Sequence, residues 1–125
     1  MKTKLFFLIA AFFLISLNSN GQFDGKKYEI KMTAMDPIHI EFRDTRYVLH
    51  TPDQLILIKG VYELKGDTIF LNDVSGVMAC PSDKKGTYLF KYENKEMKLT
   101  LIEDQCPARA SISENKWKEI EKKKP

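Results

Sequence analysis

Two cysteines, two histidines and one arginine are the side chains of this sequence whose types and spacing invite a chemical reading. Cys80 and Cys106 each precede a proline, in Cys80-Pro81 and Cys106-Pro107. They do not form a Cys-x-x-Cys pair, the arrangement that points to thiol exchange or zinc, so they are expected to join in a structural disulfide if the chain meets an oxidising compartment. Closing that loop of about 26 residues would stabilise the fold by roughly 3.5 kcal/mol in the chain-entropy picture. His39 stands between Ile38 and Ile40, and His50 precedes Thr51-Pro52. Without a second ligand at metal-binding spacing, both are expected as surface or turn residues, and no metal is assigned. Arg109 lies five residues after Asp104 and eight before Trp117. Two roles are open to it: a cation facing a ligand, or a structural brace at one end of the fold, paired with an acid or stacked on a ring. The brace, made of Arg109, Asp104 and Trp117, is the expectation. No G-x-S-x-G, H-E-x-x-H or Gly-rich phosphate loop occurs. The 17 acidic residues always allow some carboxylate pair, but none is singled out by its surroundings. No catalytic residue and no cofactor are therefore expected, and the chain does not read as an enzyme.

The ends of the chain bound where such chemistry would take place. Lys2 and Lys4 precede an unbroken apolar stretch from Leu5 to Ile15, followed by the small and polar residues Ser16 to Gln22. A basic start, a short apolar stretch and small residues at the exit are the parts of a secretory signal. Ser19 and Gly21 fit the third and first positions before a cut, which places the signal peptide at 1–21 and the mature domain at 22–125. The stretch is shorter than the ~20 residues a membrane-spanning helix needs, so no stable span is expected after cleavage. The expected destination is secreted or periplasmic. The mature part keeps 18 basic and 17 acidic residues, a near-neutral balance that argues against a nucleic-acid partner. Lys122-Lys123-Lys124 reads as a solvated terminus. A chain of this length makes one domain with a modest core.

After Gln22 the sequence reads almost throughout with period two. Tyr28, Ile30 and Met32 alternate with charged residues, as do Ile38, Ile40 and Phe42. Such alternation predicts strands with one buried and one wet face. The run Leu55–Ile58 has no polar side and is expected either to be covered on both faces or to form part of a ligand-facing wall. Two hairpins then repeat one another. The first turns at Gly66-Asp67 and sets Leu64 opposite Ile69 and Tyr62 opposite Leu71. The second turns at Asn94-Lys95 and sets Tyr92 opposite Met97, Phe90 opposite Leu99 and Tyr88 opposite Leu101. A one-residue slip would mix apolar with polar on both faces, so turn and pattern fix the register together. Each hairpin ends in an aspartate, Asp73 or Asp104, with a Cys-Pro after it, so the disulfide would staple one hairpin's exit to the next. Ala108–Ser113 reads as a last strand or a short turn of helix. Trp117 and Ile120 are expected to pack back on the end of the fold. Seven or eight short strands and no convincing helix make an all-β protein, an antiparallel barrel or sandwich.

The string Gly60-x-Tyr62-x-x-x-Gly66-Asp67-Thr68-Ile69, then Gly76-x-x-Ala79-Cys80-Pro81, Gly86-Thr87-Tyr88 and Asp104-x-Cys106-x-x-Arg109, resembles small secreted lipocalin-like proteins of the calycin type. The resemblance covers the C-terminal half of the mature chain; a Gly-x-Trp start, typical of true lipocalins, does not occur. It implies an antiparallel up-and-down β-barrel with an apolar interior, in a family whose members bind small apolar molecules or proteins. The inward set from the two hairpins, Tyr62, Leu64, Ile69, Leu71, Tyr88, Phe90, Tyr92, Met97, Leu99 and Leu101, would then either line a ligand cavity or fill it. An eight-stranded barrel leaves room for its own side chains or for one small ligand. The first expectation is a binding protein for a small apolar or amphipathic ligand. The alternative is a protein-binding module, such as an inhibitor of an exported hydrolase.

Overall fold

The structure, a computed structural model, describes residues 23–33 and 35–120. The proposed signal peptide lies outside the described residues. Eight strands follow one another around a closed antiparallel barrel, each hydrogen-bonded to the next. They are β1 (Lys27–Ile30), β2 (Ile38–Arg43), β3 (Arg46–His50), β4 (Ile56–Lys65), β5 (Thr68–Ser75), β6 (Lys85–Glu93), β7 (Glu96–Asp104) and β8 (Trp117–Ile120). A single helix among the described residues, α1 (Pro107–Ser113), stands between β7 and β8. Among the described residues no helix is long and apolar enough to cross a membrane.

The two hairpins take the register that turn and alternation require. Leu64 pairs with Ile69 and Tyr62 with Leu71; Tyr92 pairs with Met97, Phe90 with Leu99 and Tyr88 with Leu101. Asn94 and Lys95 both hold positive φ, which gives the two-residue turn the twist that antiparallel strands need. The segment after the second hairpin resolves as helix, because Pro107 starts it at a position where its missing N–H costs nothing.

Two readings of the sequence are corrected. Trp117–Ile120 does not pack on the end of the barrel but is its eighth strand, pairing with β1 along all four residues and with β7 at Glu96 and Met97. Nor is Leu55–Ile58 a doubly covered or ligand-facing run. Leu55 and Ile56 are 60% and 43% exposed, while Leu57 and Ile58 are both buried. Irregularities in the register on either side, at Leu49/His50 and at Lys59/Gly60, break the strict alternation there.

The core fills the barrel. Towards the end formed by the tight turns, Phe23 is fully buried ahead of β1 and meets Phe42 and Phe90 edge-on at 4.9 and 5.0 Å. Phe42 in turn packs against Tyr62 at 5.0 Å and stacks on Trp117 at 6.2 Å. The N–H of Gly25 donates to the carbonyl of Phe42, and the N–H of Asp44 donates to the Asp24 carboxylate, so residues 23–26 fold across this end as a plug.

Candidate functional site

The opposite end is held by the disulfide and by a buried polar cluster. Cys80 and Cys106 are bonded, with Cα atoms 6.2 Å apart. Beside them Arg109, on α1, presents its edge to Asp104: Nε donates to Oδ2 and Nη2 to Oδ1, both at 2.8 Å. Nη2 also donates to the carbonyl of Lys84 at 2.6 Å, and Nη1 lies 3.4 Å from Oδ1 of Asp73. The arginine and both carboxylates are buried. Each aspartate holds one half of the disulfide: Asp73 Oδ2 accepts from the N–H of Cys80 at 2.9 Å, and Asp104 Oδ1 from that of Cys106 at 2.8 Å. Two tyrosines complete the set. The hydroxyl of Tyr47 donates to Asp73 at 2.6 Å, and that of Tyr88 donates to Asp104.

The strands explain how these groups meet. Alternation along β5 sends Ile69, Leu71 and then Asp73 inward. On β7 strict alternation from Met97 would turn Asp104 outward. A register shift opposite Thr87/Tyr88 inserts one residue, and Asp104 comes to face Gly86 across the ladder. Gly86 is needed there, because a Cβ would run into the Asp104 carboxylate and Nε of Arg109. Gly60 does the same for Tyr47, whose ring lies over it.

The electrostatics follow from these contacts. Burial pushes the Asp104 carboxyl up, but hydrogen bonds from Arg109, Tyr88 and the N–H of Cys106, together with the guanidinium charge, hold it below the usual carboxylate range. Burial works against the Arg109 cation too, and its bonds and charges with Asp104 and Asp73 more than compensate. Burial first, then the bond to Asp73, pushes the Tyr47 hydroxyl well above the ordinary tyrosine range. The carboxylate oxygens are engaged with donors on nearly every side. The cluster is thus built to hold three segments together, and no carboxylate in it stands free to accept a proton from a substrate.

The inward set divides. Tyr62, Leu64, Ile69, Leu71, Tyr88 and Met97 are buried in the interior, and Phe90 and Leu99 pack against it partly buried. Tyr92 and Leu101 are corrected, each 47% exposed. Tyr92 overhangs the turn end, where its hydroxyl donates to Glu119 at 2.9 Å. Leu101 lies on the part of β7 that β8 does not reach, since their pairing stops at Met97. Trp117 is not part of the brace; it is packed in the interior between Tyr28 and Phe42.

Comparison of the chain with protein-family models, curated proteins and solved structures gave no match.

The histidines sit together on the outer wall as cross-strand partners. His39 Nε2 lies 3.2 Å from Glu29. His50, expected at the surface or in a turn, is the last residue of β3 and is buried. Its Nδ1–H donates to the carbonyl of Thr51 at 2.7 Å, and its Nε2 lies 2.8 Å from Glu41, so the chain leaving β3 folds over its ring. Among the described residues no group of three or more His, Cys, Asp or Glu is placed to hold a metal. Sequence reasoning missed Tyr47 and Phe23, and it marked Asp73 at the disulfide corner without assigning it to the brace. Its phase with Ile69 and Leu71, beside the repeated Asp and Cys-Pro at the hairpin exits, was the signal for Asp73; Phe23 stands alone ahead of β1 and offers no period.

Proposed function

We propose that this chain is an exported, lipocalin-like barrel that acts as a rigid protein-binding module. The observation that carries the reading is the filled interior. Phe23, Phe42, Tyr62, Phe90 and Trp117 occupy one half of the barrel by mutual contact. At the stapled end the Arg109 cluster is buried, and Leu49, Ile58 and Leu71 belong to the same buried core. A carrier of an apolar molecule needs that volume empty. The loops at the stapled end, by contrast, leave Leu55, Ile56, Val77 and Met78 exposed, Val77 by 81%. The N–H of Met78 donates to the carbonyl of Leu57 at 3.0 Å, so these residues share one rim. Rigid loops bind with a smaller ordering cost than mobile ones, which suits a disulfide-stapled rim to partner binding. Export is supported by the basic and apolar N-terminus and by a disulfide of the kind oxidising compartments sustain. Secreted and periplasmic destinations both fit.

A second reading, a carrier of a small amphipathic ligand, draws on two atoms. The hydroxyl of Tyr62 and Nε1 of Trp117 are buried without a hydrogen-bond partner, and a polar group of a bound molecule would satisfy them. One pair of measurements separates the readings. Cross-linking and capture from the exported fraction of the producing cells should yield a stoichiometric protein complex. Titration with a fluorescent fatty acid, followed through the single tryptophan, should leave Trp117 emission unchanged. A saturable change in that emission would overturn the protein-binding reading in favour of the carrier.

A further inference from the structure

On the outer wall, across the β2–β3 hairpin, Arg43 and Arg46 are direct cross-strand partners, and both are exposed. Like charges opposite one another on a ladder are destabilising. Among the described residues no acid forms an ion pair with either arginine. Glu41 and Asp44 line the same groove; Glu41 is engaged with His50 and Asp44 pairs with neither arginine, and no acid lines the adjoining groove that holds Arg46 and Lys59. The two guanidinia border a groove of about 620 Å³ that Val48, His50 and Ile56 also line. A second groove of about 410 Å³ shares Arg46 and Val48 and adds Lys59, Val61 and Val74. The two grooves form one surface across β3, β4 and β5. Its strip of Ile56, Val48, Val61 and Val74 is flanked by three cations, and Ile56, Val61 and Val74 are 43%, 38% and 59% exposed.

We propose that this strip is the docking surface for an acidic, partly apolar segment of a partner protein. The inference deepens the protein-binding reading and rests on it. Carboxylates of such a segment would relieve the repulsion between Arg43 and Arg46 and accept paired hydrogen bonds from their planar forks. Its aliphatic side chains would cover Val48, Val61 and Val74. Charge complementarity selects this occupant over others. A free phosphate would leave the apolar strip uncovered. A second copy of the chain, related by a two-fold axis, would set the three cations against themselves.

The test uses the natively exported protein, labelled for NMR, and three probes: a peptide of alternating Glu and Leu, its counterpart of alternating Lys and Leu, and inorganic phosphate. The Glu–Leu peptide should saturate with shifts centred on Arg43, Arg46, Val48, Val61 and Val74. The Lys–Leu peptide should bind roughly tenfold more weakly or not at all, and phosphate alone should not reproduce the shifts at the valines. The variant R43Q/R46Q should weaken the Glu–Leu peptide by about fivefold or more while leaving Tm unchanged or raised, because a repulsive pair has been removed. Equal binding of the two peptides, shifts centred elsewhere, arginine shifts with phosphate that match those with the peptide, or a lowered Tm would each overturn the proposal. A partner captured from the exported fraction that binds R43Q/R46Q as tightly as the native chain would overturn this surface and leave the protein-binding reading standing. Fatty-acid loading of the interior would remove that reading itself.

Discussion

Arg109 joins parts of the chain that are far apart in sequence: Lys84 ahead of β6, Asp104 at the end of β7 and Asp73 on β5. Taking three charges out of water is costly, and the cost is recovered only when geometry is good and lone pairs are filled. That condition holds at Asp104, which accepts from the guanidinium on two oxygens and from a backbone N–H and a tyrosine besides. Arg109→Met would remove the cation and leave two buried carboxylates facing each other. It should cost about 3–5 kcal/mol at neutral pH, measured by urea unfolding. The sign of the pH dependence follows from Asp104, whose carboxyl is held below its ordinary value. The stabilisation it gives is complete above about pH 4 and is lost as pH falls through the depressed folded value. The gap between native and variant should therefore narrow in acid; a gap as wide at pH 3 as at pH 7 would contradict the role given to this pair.

Among the elements, the β4–β5 and β6–β7 hairpins could be read from sequence because two independent signals agree there. The turn residues and the apolar alternation demand the same register, and a slip would violate both. β8 offered no such agreement: Trp117-Lys118-Glu119-Ile120 puts its apolar residues three apart, a helical spacing and not the period of two that marks a strand. The inward turn of Asp104 was hidden because one inserted residue in β7 reverses the phase, and alternation read across a bulge gives the wrong face. The plug was hidden for a different reason, since the burial of Phe23 depends on rings brought from β2, β4 and β6. Phe23→Ala should lower stability by about 3–5 kcal/mol, read from urea unfolding. It should also open space among Phe42, Tyr62 and Phe90, so that a small apolar dye binds the variant and not the native chain.

For the molecule as a whole, the disulfide and the polar cluster act on the same corner but through different states. The covalent bond works chiefly by limiting the unfolded chain, whereas the cluster acts in the folded one. Replacing both Cys80 and Cys106 by serine should therefore leave the β-type circular dichroism intact while lowering Tm by about 10–20 °C, as expected for a loss near 3 kcal/mol in a domain of this size. Loss of the β signal at room temperature would mean that the cluster cannot hold the corner alone.

The union of the first strand with the last has a consequence for the birth of the molecule. Lys27–Ile30 finds one of its two neighbours only in Trp117–Ile120. The ring cannot shut until Trp117–Ile120 is available, so a nascent chain emerging from N- to C-terminus stays gaping up to that point. A product truncated before residue 117 would carry two raw edges, on β1 and on β7, each able to recruit a strand from another molecule.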